Sequence, residues 1–206
     1  MMTLKKIELT SIQLPEFGLP QQQPVISKQE YENRIELARA WARQAGLDFL
    51  LVYGDREHFA NLAYLTEHDP RFEEALLVLN SAGGKPILIL GNEGMGYAEL
   101  VPIEIERKLY QGFGLLGQKR HTSPRLEPVL RECGLNQGQR IGLVGWKYVT
   151  PLESDDPEHW LDLPAYIVDL LRQLVGESNL VNATGVFVNP GDGFRAVNQR
   201  RPVSRF

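Results

Sequence analysis

Between Tyr31 and Glu93 the chain sets out, in order, a helical pattern, an unbroken apolar run, a short aromatic segment and two apolar runs joined at a pair of glycines. Ser27 followed three residues later by Glu30 is a capping box. Tyr31, Ile35, Ala38, Trp41, Ala42 and Ala45 then recur at helical spacing, and Gly46 supplies a left-handed stop. Phe49-Leu50-Leu51-Val52-Tyr53 has no polar alternation, as expected of a strand covered on both faces. Phe59, Leu62, Ala63 and Leu65 predict a short helix after Gly54. Ala75–Leu79 and Ile87–Leu90 flank Ser81-Ala82-Gly83-Gly84, the pattern of an antiparallel hairpin, since glycine tolerates the positive φ of its turn.

The rest of the chain continues the alternation. Ile7, Leu9, Ile12 and Leu14 permit an edge strand, after which Pro15, Pro20 and Pro24 impose an extended lead-in over residues 1–26. Met95–Val101 predicts a helix and Glu104–Tyr110 a strand. Leu126, Val129, Leu130 and Cys133 form a helix shortened by Pro128 and ended by Gly134. Ile141–Gly145 reads as a strand. Asp162 and Pro164 open a helix bearing Ile167, Leu170, Leu171, Leu174 and Val175 up to Gly176, and Val181–Val188 reads as the last strand. The sum is an α/β fold, a mixed β-sheet with flanking helices. The acidic stretch Glu153–Glu158 belongs on the surface.

At 206 residues, 43% hydrophobic and 23% charged, the chain suits one large domain or one domain with extensions. A net charge of −4 offers no basic field for nucleic acid or an anionic membrane. Cys133 is the single cysteine, which excludes an intrachain disulfide and fits a reducing cytoplasm. No run approaches the roughly 20 apolar residues of a membrane span. The expected location is cytoplasmic.

Chemistry is thinly marked. Gly91-Asn92-Glu93-Gly94-Met95-Gly96 follows a strand and invites a nucleotide- or ligand-binding reading. Its glycine order is not that of a dinucleotide loop, and its strand leaves an antiparallel hairpin, so a glycine turn is the plainer reading. None of His58, His68, His121 and His159 pairs with another at metal-ligand spacing. His58, with Arg56 and Asp55, is the centre of an alternative reading as a small self-sufficient hydrolase; a solvated loop residue is the simpler one. Cys133 sits on an apolar helix face and reads as a buried small hydrophobe. Arg56, Asn61, Tyr64 and Arg71 lie between two core strands, where α/β folds gather ligand-facing loops, although capping and surface pairing would also account for them.

These residues carry a resemblance. Tyr31-x-x-Arg34, Ala45-Gly46-Leu47-Asp48-Phe49-Leu50-Leu51-Val52, Asn61-x-x-Tyr64-Leu65-Thr66 and Asp69-Pro70-Arg71-Phe72-Glu73-Glu74-Ala75-Leu76-Leu77-Val78 together resemble the N-terminal domain of the creatinase, prolidase and aminopeptidase P (Xaa-Pro peptidase) family. Gly193-Phe194-Arg195-Ala196-Val197 resembles the point where that domain hands over to its catalytic partner. The resemblance covers about residues 27–197. It implies a ribonuclease-H-like mixed sheet that helps build a homo-oligomer and shapes a substrate cleft for a small peptide or guanidino-type ligand. Arg56, His58, Asn61, Tyr64 and Arg71, taken from their place in the chain, are the candidate substrate- or partner-binding residues.

In that family the hydrolytic chemistry belongs to a following "pita-bread" domain, where two Asp, one His and two Glu hold two divalent metals such as manganese or cobalt. Here Val197 is followed by Asn198-Gln199-Arg200-Arg201-Pro202-Val203-Ser204-Arg205-Phe206, a divergent basic tail in which Pro202 would interrupt a helix. No catalytic and no metal-binding residue can be assigned on this basis. The expectation is a non-catalytic domain, inactive alone, without a cofactor of its own.

Overall fold

The computed structural model describes residues 9–16, 18 and 25–196. Ile7, Pro20 and Pro24 of the lead-in, Val197 and the tail 198–206 lie outside the described residues. Leu9–Glu16 form no strand, and Leu9, Ile12 and Leu14 stand exposed, so the alternation there binds no sheet edge.

Helix α1 spans Lys28–Gln44, with the Ser27 side chain accepting from the Glu30 amide as the capping box requires. It ends in a Schellman motif, in which the Leu47 amide reaches Ala42 and the Gly46 amide reaches Arg43, with Gly46 at φ +68°. Strand β1 is Phe49–Gly54, α2 is Ala60–Thr66, β2 is Ala75–Asn80 and β3 is Ile87–Leu90. The hairpin turns through Gly83 and Gly84, both at positive φ. Arg39, buried on α1, donates to the Asn80 and Gly84 carbonyls and fastens the helix to this turn.

Beyond the hairpin come α3 (Gly94–Tyr97), β4 (Glu106–Leu109), α4 (Leu126–Glu132), β5 (Ile141–Val144), α5 (Ala165–Val175), β6 (Leu180–Asn182) and α6 (Gly185–Val188). The six strands form one sheet in the order β4-β3-β2-β1-β5-β6. Only β2 runs against its neighbours; the β3–β4, β1–β5 and β5–β6 pairs are parallel. The mixed α/β sheet with flanking helices is therefore as the sequence indicates.

Central β1 is buried along its whole length and feeds two cores. Leu50 and Val52 face a cluster with Ile35 and Ala38 of α1, Leu62 and Leu65 of α2 and Phe187 of α6. Phe49, Leu51 and Tyr53 face the opposite cluster with Leu130 of α4 and Ile167, Leu171 and Leu174 of α5. The absence of polar alternation has this physical cause.

Two local expectations change. The run Val181–Val188 does not remain extended: β6 stops at Asn182, whose side chain accepts from the Thr184 amide, and a helical turn follows. That turn buries Phe187, an apolar side chain the sequence pattern had assigned to a strand. Asp162 does not cap α5; its carboxylate accepts from the Trp146 and Lys147 amides at 2.9 and 2.8 Å and pins the loop leaving β5.

Candidate functional site

Five strands point the same way, so their carboxyl ends, together with the start of β2, collect the loops 55–59, 67–74, 91–97, 110–123 and 145–164 on one edge of the sheet. This is the edge at which open α/β sheets hold ligands.

Arg56 and Arg71 come together there. With Phe59, Asp69, Phe72 and Tyr97 they line an open cleft of about 640 Å³. The Arg71 guanidinium lies 5.5 Å from the Tyr97 ring centroid and 3.7 Å from the Asp69 carboxylate. Arg56 has no ion-pair partner among the described residues. The backbone sets this up: the Arg71 amide donates to the Asp69 side chain at 2.8 Å, and Arg71 itself adopts φ +60°, a left-handed conformation that costs a residue with a Cβ on the order of 1 kcal/mol. Such a conformation persists only where the surroundings impose it.

The other three candidates serve different ends. His58 stacks on Trp146, with centroids 4.7 Å apart and planes 23° from parallel, and its Nδ1 lies 3.2 Å from Asp55. Burial alone would raise the Asp55 carboxyl, but the amides of Glu57 and His58 and the imidazole outweigh it and hold the group below its usual range. Among the described residues no hydroxyl or thiol bonds to His58, so a nucleophile–base pair is not assembled at it. Asn61 is 4% exposed and acts as a bracket, donating to the Gly145 carbonyl at 2.7 Å and accepting from Arg195 at 2.8 Å. Tyr64 faces inward, edge-on to Phe187, with the Arg34 guanidinium 4.3 Å above its ring.

The glycine-rich turn has an internal occupant. Glu73, 3% exposed, accepts from the Glu93 amide at 3.1 Å and the Gly94 amide at 2.8 Å. A Cβ at Gly91 would stand 2.5 Å from the Glu73 carboxylate. The glycines thus give room to a carboxylate of the same chain, and the amides that a phosphate would need are already in use.

Glu74, its neighbour, reads from the sequence with Glu73 as a pair of solvated surface carboxylates, but Glu73 is buried and Glu74 is half-buried and hydrogen-bonded. One carboxylate oxygen accepts from the Tyr53 hydroxyl at 2.9 Å and from the Tyr166 hydroxyl at 2.6 Å. Burial first, and Glu74 second, push the Tyr53 hydroxyl far above the ordinary tyrosine value. Adjacent glutamates alternate in direction on extended backbone, so Glu73 and Glu74 were bound to reach different partners; which partners is a property of the fold.

No group of three or more His, Cys, Asp or Glu side chains is placed to hold a metal ion among the described residues. No helix of the described residues is long and apolar enough to cross a membrane.

No protein-family model and no curated protein matches the chain. Solved structures do. The chain is similar to the creatinase/prolidase-like N-terminal domain of a Corynebacterium diphtheriae protein, with 17% identity, a TM-score of 0.47 and coverage of 74% of this chain and 94% of that one. It is similar to a creatine_N superfamily domain of a dipeptidase from Streptococcus thermophilus, with 14% identity, a TM-score of 0.47 and coverage of 78% and 95%. It is also similar to dipeptidase PepE from Mycobacterium ulcerans, with 16% identity and a TM-score of 0.45, spanning 36% of that longer chain. The solved structures it resembles are thus creatinase/prolidase N-terminal domains and dipeptidases, and some of them are such domains on their own.

Proposed function

We propose that this chain is a non-catalytic, cytoplasmic domain of the creatinase and Xaa-Pro peptidase type, which self-associates and forms one wall of a cleft for a small peptide. The observation that carries this reading is the pair Arg56 and Arg71 in one open cleft at the carboxyl ends of the strands. Two guanidinium groups beside aromatic walls suit a carboxylate on a compact apolar body, because Arg presents its donors in a fork matched to carboxylate geometry. The order of residues from Tyr31 to Val78 supports the family assignment. Two divalent metals such as manganese or cobalt, and the chemistry they supply, belong in this reading to a catalytic domain outside the chain.

Calorimetric titration of the purified chain with alanyl-proline tests the cleft: saturable binding is expected, weakened at least ten-fold by Arg71→Ala. The same dipeptide incubated with the chain and Mn²⁺ or Co²⁺ tests the non-catalytic role. Turnover lost on His58→Ala would replace this reading with that of a self-sufficient hydrolase. Size-exclusion chromatography with light scattering is expected to give an oligomer, and a monomer at micromolar concentration would remove self-association from the proposal.

A further inference from the structure

A second cavity lies on the same edge, separated from the arginine cleft by Phe72, which lines both. Its volume is about 480 Å³, and its walls include Glu74, Tyr110, Phe113, Arg120 and Tyr166. Glu73 also borders it, but that carboxylate is engaged by the Glu93 and Gly94 amides.

The charges in this cavity are unspent. Glu74 receives two tyrosine hydroxyls on one oxygen, and its other oxygen takes no hydrogen bond from the described residues. Arg120 donates to the Gly114 carbonyl at 3.3 Å and pairs with no carboxylate among the described residues. An acid and a base thus line one cavity without meeting each other. A carboxylate removed partly from water without a cation is costly unless something supplies the counter-charge. Tyr53 and Tyr166 orient Glu74, so its open oxygen is fixed before any ligand arrives. Both charges are close enough to Tyr110 to act on its hydroxyl in opposite senses, Glu74 raising it and Arg120 lowering it, beneath the larger effect of burial.

We infer that this cavity binds a free α-amino acid as its zwitterion, with the ammonium against Glu74, the carboxylate against Arg120 and an aromatic or large apolar side chain along Phe72 and Tyr110. A few convergent polar groups in a cavity of this volume, walled in part by aromatic and leucine side chains, are what a compact ligand of that kind needs. Binding of an amine alone would use Glu74 and leave the exposed Arg120 to water, and binding of an acid alone would use Arg120 and leave the half-buried Glu74 without a counter-charge.

Calorimetric titration of the full chain with L-phenylalanine, phenethylamine and 3-phenylpropionate separates these cases. The amino acid is expected to bind at least ten-fold more tightly than either single-charge analogue. Glu74→Gln, which keeps an acceptor for the tyrosines, and Arg120→Met are each expected to weaken it at least ten-fold. Tyr166→Phe, which frees one side of Glu74 without altering charge, is expected to weaken it less. Arg71→Ala should leave it unchanged, and this separates the site from the peptide cleft proposed above. Absence of saturable binding, equal binding of phenethylamine, indifference to Glu74→Gln or Arg120→Met, or loss on Arg71→Ala would each overturn the assignment.

Discussion

At the scale of single residues, strain and burial say more than residue type. Arg71 holds φ +60° in the loop that presents it to the cleft. Glycine reaches that conformation freely, so Arg71→Gly removes native-state strain while adding freedom to the unfolded chain; the two effects nearly cancel, at about 1 kcal/mol each. The expected outcome is a melting temperature unchanged or slightly raised, with dipeptide affinity reduced at least ten-fold in parallel titrations. A clear loss of stability would mean that the Arg71 side chain holds the loop. Cys133 makes the complementary case: burial, first of its causes, pushes its thiol up to about 12, so little thiolate exists at pH 8. Its alkylation by iodoacetamide should run at least a hundred-fold slower in the native protein than in urea. The local pattern gave fair notice of Cys133, because its helical spacing put it on the apolar face. It gave none of Asn61 as a bracket, since Arg195, one of its two partners, lies 134 residues away and no local pattern encodes that pairing.

At the scale of elements, most of the fold was legible because periodicity and glycine placement agree. The capping box of α1, the doubly buried β1 and the hairpin at Gly83-Gly84 each follow from a local rule that the tertiary structure has no reason to override. The rule failed at Val181–Val188, read as one strand: Asn182, Thr184 and Gly185 interrupt its apolar residues, the strand ends at Asn182, and a helical turn buries Phe187. Close approaches of backbone were equally hidden. A Cβ at Gly145 would stand 1.9 Å from the Asp162 carbonyl oxygen, at the crossing that Asp162 ties to the Trp146 and Lys147 amides. Gly145→Ala therefore forces two backbone segments apart, and overpacking of this severity costs about 3 kcal/mol or more. Gly96 has nothing within 4 Å of a built Cβ and lies in α3, so Gly96→Ala should be neutral or stabilise by up to about 1 kcal/mol. Urea titration of the two variants measures both; similar stabilities for the pair would contradict the contact at Gly145.

At the scale of the molecule, one reversed strand in six organises the candidate sites, because it begins at the sheet edge where the other five end and so adds the loop that precedes it to that edge. The 67–74 loop that leads into β2 supplies Arg71 to one cavity and Glu74 to the other. His68 lies in that loop, 3% exposed, with Nε2 buried and without a hydrogen-bond partner among the described residues. Burial lowers it to about 4, with the Asp69 charge opposing, against an ordinary value of 6.5. Above pH 6.5 the imidazole is neutral in both folded and unfolded chains, and its burial carries no proton cost. As the pH falls from 6.5 towards 4, the unfolded chain takes up a proton that the native ring refuses, so stability declines with acid. The full gap corresponds to roughly 3 kcal/mol, reached near pH 4 and constant below it. His68→Gln removes this titration whatever its effect on absolute stability. The expected result is a flatter dependence of unfolding free energy on pH between 6.5 and 4 than in the parent chain, by urea denaturation at a series of pH values. Since the same loop carries Arg71 and Glu74, acid that unsettles His68 loosens the shared wall of both cavities before it reaches the two cores. Hydrogen exchange at pH 5 should therefore accelerate in residues 67–74 ahead of β1, and uniform acceleration across the sheet would place the acid-sensitive step in the core instead.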